Sequence, residues 1–417
     1  MASRFGRKMP RIMSIYLIFV LFYVYEFKVR ISAVNWLQNS LTTTDVQGTN
    51  DDYEAARSNL NFISTFDEIM LNEGNNNTKK FAAIVLKQGK LYCRSSQKDQ
   101  FLRARYFVHM LQEGLRSQQG NAIKVSNYNL PIIFKHDDSS GCNPATHTDA
   151  YGFPRLSWAV PANNTESQWC NVIGAPSYKT WKSLINEKIY SSLEATFREN
   201  QEVYPWRNKI LKSVWRGSTT SNKNMHGHLD LNDTPRGRLV QGGINNPFMD
   251  VGFHKLVGKY QRVSNESQRL ILKDPIPLAQ MMKYRAIIDI DGNNWSARFS
   301  HLLCFNSVII KILPDFVEST FHDLVPGQHF VSASLENITR VVEHVMDENS
   351  DEEMQVIISN ANSWCAKNMN RNALARSAVK AIENYRDMLN EYDTHWQEKW
   401  LSNNELNYAS DIVECNT

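Results

Sequence analysis

Six cysteines among 417 residues form no C-x-x-C pair, so the usual spacing of a structural zinc site is missing. Basic charge is not in excess either. The formal balance is +3, and Arg4, Arg7, Lys8 and Arg11 alone contribute +4, which leaves the remainder near −1. That excludes a nucleic-acid binder. No internal repeat is present, and beyond the first thirty residues the composition is that of an ordinary globular protein. At this length two domains are expected.

What the chain does carry begins with IMSIYLIFVLFYVY at positions 12–25, preceded by those four basic residues and followed by Glu26, Lys28 and Arg30. The charge bias keeps the N-terminus in the cytosol and sends the rest to the lumen. Fourteen residues at helical rise cover about 21 Å, and Phe27, Val29 and Ile31 with snorkelling Lys28 and Arg30 lengthen the segment. A signal anchor over 12–31 behind a cytosolic tail at 1–11 is the favoured reading. A signal peptide cleaved near Ile31-Ser32-Ala33 is the alternative.

The lumen fits the other signals. Sequons begin at Asn76, Asn163, Asn232, Asn265, Asn294 and Asn337, of which Asn294 is expected to stay unmodified. Cys142 is expected to pair with Cys170 across a loop rich in Gly, Pro, Asn and Ser. Cys304, on the apolar side of a helix, is expected to be a buried free thiol. A polar stretch at 32–80 reads as a stem, 81–205 as an N-terminal α/β domain, 206–395 as a second α/β domain with closing helices, and 396–417 as a tail. Strands alternating with helices imply mostly parallel sheets, which bind ligands at the carboxyl ends of their strands.

The most informative segment is YRAIIDIDGNNWSARFSHLL, 284–303. An apolar β-branched run precedes Asp291-Gly292-Asn293, and apolar residues then recur near a helical period. A helix starting near Trp295-Ser296 would aim free N–H groups at an anion, with Arg298 adding a forked cation. Two other chemistries fit the same aspartates. The DxDG pattern resembles the nucleophile motif of haloacid-dehalogenase-type phosphatases, and Asp289 with Asp291 matches a metal-binding Asp-x-Asp.

Read in order, Asp137-Asp138, Trp215-Arg216-Gly217-Ser218, Lys283-Tyr284 to Ser296-Ala297-Arg298-Phe299, Phe316-Val317-Glu318 and the run from Leu324 to Val331 resemble glycosyltransferase family 90. The resemblance covers roughly 130–391. It implies an α/β fold of GT-B type, two Rossmann-like domains facing across a cleft. It also implies inverting transfer from a UDP-sugar to a glycan or glycoprotein hydroxyl, without a metal or other cofactor. On the matching positions, Asp137 is the catalytic base, with Asp138 the acidic residue beside it. Arg216, Gly217, Ser218, Arg236 or Arg238, Ser296 and Arg298 hold the donor, Glu318 accepts from its ribose, and Tyr284 and His329 pack. The ending Val413-Glu414-Cys415-Asn416-Thr417 lacks the retention tetrapeptide of ER-resident protein glucosyltransferases. With the anchor, this points to a Golgi membrane enzyme using glucose, xylose or another sugar.

Overall fold

Two short apolar runs separated by Gln88-Gly89 fold back on each other as β1 (Phe81–Lys87) and β2 (Lys90–Arg94). Both loop residues have positive φ, 50° at Gln88 and 73° at Gly89, the turn handedness that matches the twist of paired strands. The structure, a computed structural model, describes residues 66, 69, 80–94, 103–117, 121–137, 140–163, 169–185, 204–222, 226–262, 271–407 and 412–415. The proposed anchor and most of the stem lie outside them. Among the described residues no helix is long and apolar enough to cross a membrane.

β1 pairs antiparallel with β3 (Asn129–Lys135), and β3 runs parallel to β4 (Arg155–Ser157), which runs parallel to β5 (Val172–Gly174). A second sheet is parallel throughout. It contains β6 (Ile210–Ser218), β7 (Met249–Lys255), β8 (Tyr284–Asp289), β9 (Val308–Ile312) and β10 (Val331–Ala333), in spatial order β7-β6-β8-β9-β10. Every residue of β9 is buried, as a sheet covered on both faces requires. The two sheets make this a mixed α/β fold, as expected, with the sheet switch near residue 205.

Helices α1 (Ala104–Arg116), α2 (Tyr178–Ile185), α3 (Pro235–Gly243), α4 (Phe299–Leu302), α5 (Ile338–Met346), α6 (Asp351–Asn368), α7 (Arg371–Tyr392) and α8 (Trp396–Asn407) cover the sheets. In α1, Ala104, Phe107, Val108, Leu111 and Leu115 recur at helical spacing and are buried, forming its core face. Gly114 sits where α7 crosses. A Cβ there would lie 2.5 Å from the Ala375 carbonyl oxygen, so only glycine allows this approach. Thus α7, late in the chain, covers the first sheet.

The segment after 395 is not a tail. It forms α8 and then β11 (Ile412–Glu414), which joins the first sheet at β2. The disulfide Cys93–Cys415 fastens the two strands, a pairing between residues 322 positions apart that no local pattern announces. The expected bridge Cys142–Cys170 is present. Cys304 corrects the sequence reading: it is bonded to Cys365 on α6, so it is no free thiol. It is also only partly buried against the core, and α6 supplies its partner at Cα–Cα 5.3 Å. Replacing both cysteines of this bridge with alanine reopens a 61-residue loop in the unfolded chain. The expected loss is about 2–4 kcal/mol of stability, read as a lowered melting temperature under non-reducing conditions; an unchanged melt contradicts the bridge.

Candidate functional site

Asp289 ends β8 and stands in register with Lys311 on β9. The Lys311 ammonium donates to Asp289 Oδ2 at 2.9 Å and to Asp291 Oδ1 at 2.6 Å. Asp289 is fully buried and accepts further from Ser296 Oγ at 2.5 Å and from Arg298 Nε at 3.2 Å. Burial opposes its charge, but Lys311 and Arg298 prevail and hold its carboxyl below the usual range. Burial of Lys311 is likewise outweighed by the two aspartates, which raise its pKa. At Asp291 burial wins, pushing the carboxyl up to about 6.

The helix of this segment differs from expectation. Arg298 is the N-cap of α4, which spans four residues. Residues 291–298 form turns instead, because Ser296 and Arg298 fold back onto Asp289 and spend their hydrogen bonds there. A helix-dipole anion site is therefore not what this segment builds. Arg298 Nη1 donates to the Arg216 carbonyl at 2.8 Å, stitching β6 to the turn, while Nη2 is buried and unpartnered. Positive charge gathers at this sheet edge nonetheless. His254, in β7, has its pKa lowered by its partial burial and then by Arg298, Arg236, Lys255 and Arg216.

Arg236 and Arg238, left as alternatives, lie in different places, and it is Arg236 that faces the strand ends. Its guanidinium donates to the carbonyls of Asp291 (2.8 Å), Ser218 (2.9 Å) and Ile290 (3.2 Å) and to Thr220 Oγ1 (2.6 Å). Thr234 caps α3 through the Gly237 N–H, and Pro235 opens the helix, so Arg236 sits in the first turn facing the strand ends. Arg238 lies outside, paired with exposed Glu336 at 2.9 Å. Beside Arg236 opens a pocket of about 240 Å³, walled by Asp291, Asn294, His226 and Asp315 among others. Three of its buried polar atoms have no partner: Asp291 Oδ2, Asn294 Nδ2 and His226 Nδ1.

The remaining residues fall in different places. Arg216 donates to Asp250 Oδ1 at 2.9 Å and to three carbonyls, so it braces β6 against β7. Tyr284 also holds Asp250, at 2.9 Å, in the packing role expected. His329 accepts from the Val325 N–H at 3.0 Å, closing its own turn. Gly217 accommodates Trp215: a Cβ there would lie 2.4 Å from the indole. The Ser218 hydroxyl bonds Thr220 at 3.4 Å. Glu318, expected at a ribose, is buried and accepts from Ser300 Oγ (2.5 Å) and Trp295 Nε1 (3.2 Å). It also takes a bond from Ser177, just before α2. Gly174 packs against Ser319 beside it, so Glu318 ties the end of the first sheet to the segment after β9.

Asp137 lies two residues beyond the end of β3, half-buried, and is ion-paired to the Lys135 ammonium. Lys135 is itself 1% exposed and sits 5.5 Å from the ring centres of Phe81 and Tyr151. Asp138 lies outside the described residues. Sequence reasoning passed over Lys135, Lys311, Asn222 and His226. The signal was present for two of them: NLPIIFK and VIIKI each hold a single lysine in a buried strand, where an unpaired ammonium is too costly to persist. Among the described residues, Cys142, Asp149 and Cys170 are close enough for a metal, but the sulfurs are bonded to each other and Arg155 donates to both.

A parallel α/β sheet with cations and unsatisfied polar atoms at its carboxyl edge has the features of a ligand-binding site. Residues 65–404 match the model of glycosyl transferase family 90; the chain belongs to that family and is a glycosyltransferase. No curated protein matches it in sequence. Among solved structures, Anabaena Alr3699/HepE with UDP and glucose aligns at 10% identity and a TM-score of 0.32, over 52% of this chain and 58% of that one. The same protein with UDP-glucose aligns at 12% and 0.33, over 66% and 69%. A glycosyltransferase from Rickettsia africae aligns at 12% and 0.32, over 71% and 84%. The chain thus spans little more than half of the first of these.

The charge cluster gives a pH prediction. Asp291, with a folded pKa near 6 against an ordinary 3.8, binds more protons folded than unfolded between those values. Wild-type stability therefore falls on this account as pH rises from about 4 to about 6. Asp291→Asn removes that decline. Melting temperatures measured across this window should show the variant gaining on wild type with rising pH; parallel curves contradict the assignment.

Proposed function

We propose that the chain is an inverting, UDP-sugar-dependent glycosyltransferase of GT-B architecture, with the second sheet holding the donor and the first supplying the base. The observation that carries this reading is the carboxyl edge of the parallel sheet, where Arg298, Arg236 and Lys255 make a positive field, felt by His254, beside a polar pocket. A diphosphate leaving group gains negative charge as its bond to the sugar breaks, and such a field stabilises it. Asp137 takes the proton of the acceptor hydroxyl while that oxygen attacks the anomeric carbon and the bond to the UDP oxygen breaks, so configuration inverts. The Lys135 ammonium is ion-paired to the Asp137 carboxylate and holds it in place beyond the end of β3.

The reaction needs no metal on this account. The Asp-x-Asp pair that would bind one is neutralised by Lys311, which donates to both carboxylates. The same burial argues against a phosphatase, since Asp289 has no exposed oxygen to attack a phosphate ester. Three disulfides fit an oxidising compartment, and with the apolar segment at 12–31 they support a type II Golgi or ER membrane protein with a luminal catalytic domain. The acceptor is a glycan or glycoprotein hydroxyl.

The purified full-length protein, given a panel of UDP-sugars with acceptor glycans, should release UDP equally with and without chelator. Asp137→Asn should lower turnover by about 10²–10⁴-fold while UDP affinity stays within about twofold. Loss of activity in chelator contradicts the metal-free reading. Full turnover by the Asp137 variant contradicts the base assignment.

A further inference from the structure

Resting on the donor reading above, we propose that the pocket between Asp291, Asn294 and His226 is a hydroxyl-recognising subsite that holds the transferred sugar of the donor and sets which sugar is accepted. Asn294 is 8% exposed, and Asn222 Nδ2 donates to its Oδ1 at 2.8 Å. That bond fixes the amide so that Nδ2, a donor, is left unpartnered on a residue that lines the pocket. Asp291 is fixed in the same way. Lys311 takes Oδ1, and Oδ2 remains as an unpartnered acceptor. His226 Nδ1 is the third unsatisfied atom of the pocket.

A buried polar atom without a partner costs free energy, and three in one pocket mark a place where a ligand completes the set. The set contains a fixed donor and a fixed acceptor, with an imidazole nitrogen that serves as either according to tautomer. A sugar hydroxyl both donates and accepts, so neighbouring hydroxyls satisfy all three. A phosphate does not fit. Asp291, Asp315 and Glu336 give the pocket three carboxylates, whereas Arg236 has four bonds already made to protein acceptors. A nucleobase fits poorly too, because no Phe, Tyr or Trp lines the pocket to stack on. The neutral, hydroxyl-bearing part of the donor remains. Gly292 belongs to the same design: a Cβ there would lie 3.1 Å from Arg236 Nη2 and 3.3 Å from Thr220 Oγ1, crowding the pocket wall.

The test compares UDP with UDP-sugars on the full-length protein, by calorimetric titration of wild type, Asn294→Leu, Asp291→Asn and His226→Phe. Losing a hydrogen bond to the sugar should weaken the preferred UDP-sugar by about tenfold or more while UDP changes by less than about twofold. The sugar preference across the panel should also flatten. His226 lies outside the buried charge cluster, so His226→Phe reads the subsite even if the Asp291 variant does not fold. Equal weakening of UDP and UDP-sugars would place the nucleotide in this pocket and overturn the inference. Unchanged affinity for both would overturn it as well. Wild type binding neither ligand would instead bring down the donor reading on which the inference stands.

Discussion

One buried ammonium organises the functional edge of this protein. Lys311 sits in the middle of a sheet where an uncompensated charge would be prohibitive, and it is tolerated because Asp289 and Asp291 accept from it. Those bonds fix the end of β8 and the turn beyond it. Asp289 in turn captures Ser296 and Arg298, and Arg298 reaches the carbonyl of Arg216 on β6. Three strand ends and the turn are thereby locked as one polar unit. Beside that unit lies the pocket lined by Asp291, Asn294 and His226, each of which carries a buried polar atom without a partner.

Local chemistry made much of the fold legible. The hairpin at Gln88-Gly89, the strands at 129–135, 284–289 and 308–312, and the helices α6 and α7 follow from period, turn residues and length. Long-range partners were not legible. Nothing near Cys415 announces that it returns to Cys93, and Gly114 reveals its purpose only when α7 lies across it. The strand β7, MDVGFHK, was missed because a glycine and a histidine interrupt its apolar pattern.

The site divides along the same line. Asp137 follows β3, Arg298 ends the turns after β8 and Arg236 lies in the first turn of α3, and polar residues after apolar strands are a local signal for the first two. Their partners are decided by neighbouring strands. Arg216 and Glu318 carry motif positions, yet one braces Asp250 and the other accepts from Ser300, Trp295 and Ser177. Conversely, Lys135 and Lys311 belong to no motif and are the counter-ions on which the aspartates rely. A lone lysine in a buried strand asks for a carboxylate, but only the sheet register says which one.

The central claim is that the donor lies along the carboxyl edge of the second sheet, with its diphosphate toward Lys255, Arg236 and Arg298. An experimental structure of the full-length protein with UDP tests it most directly. The account predicts nucleotide density at that edge, with the diphosphate facing the cationic cluster and Asp289 still buried against Lys311. Nucleotide bound at the first sheet, or a metal ion seated between Asp289 and Asp291, would contradict it.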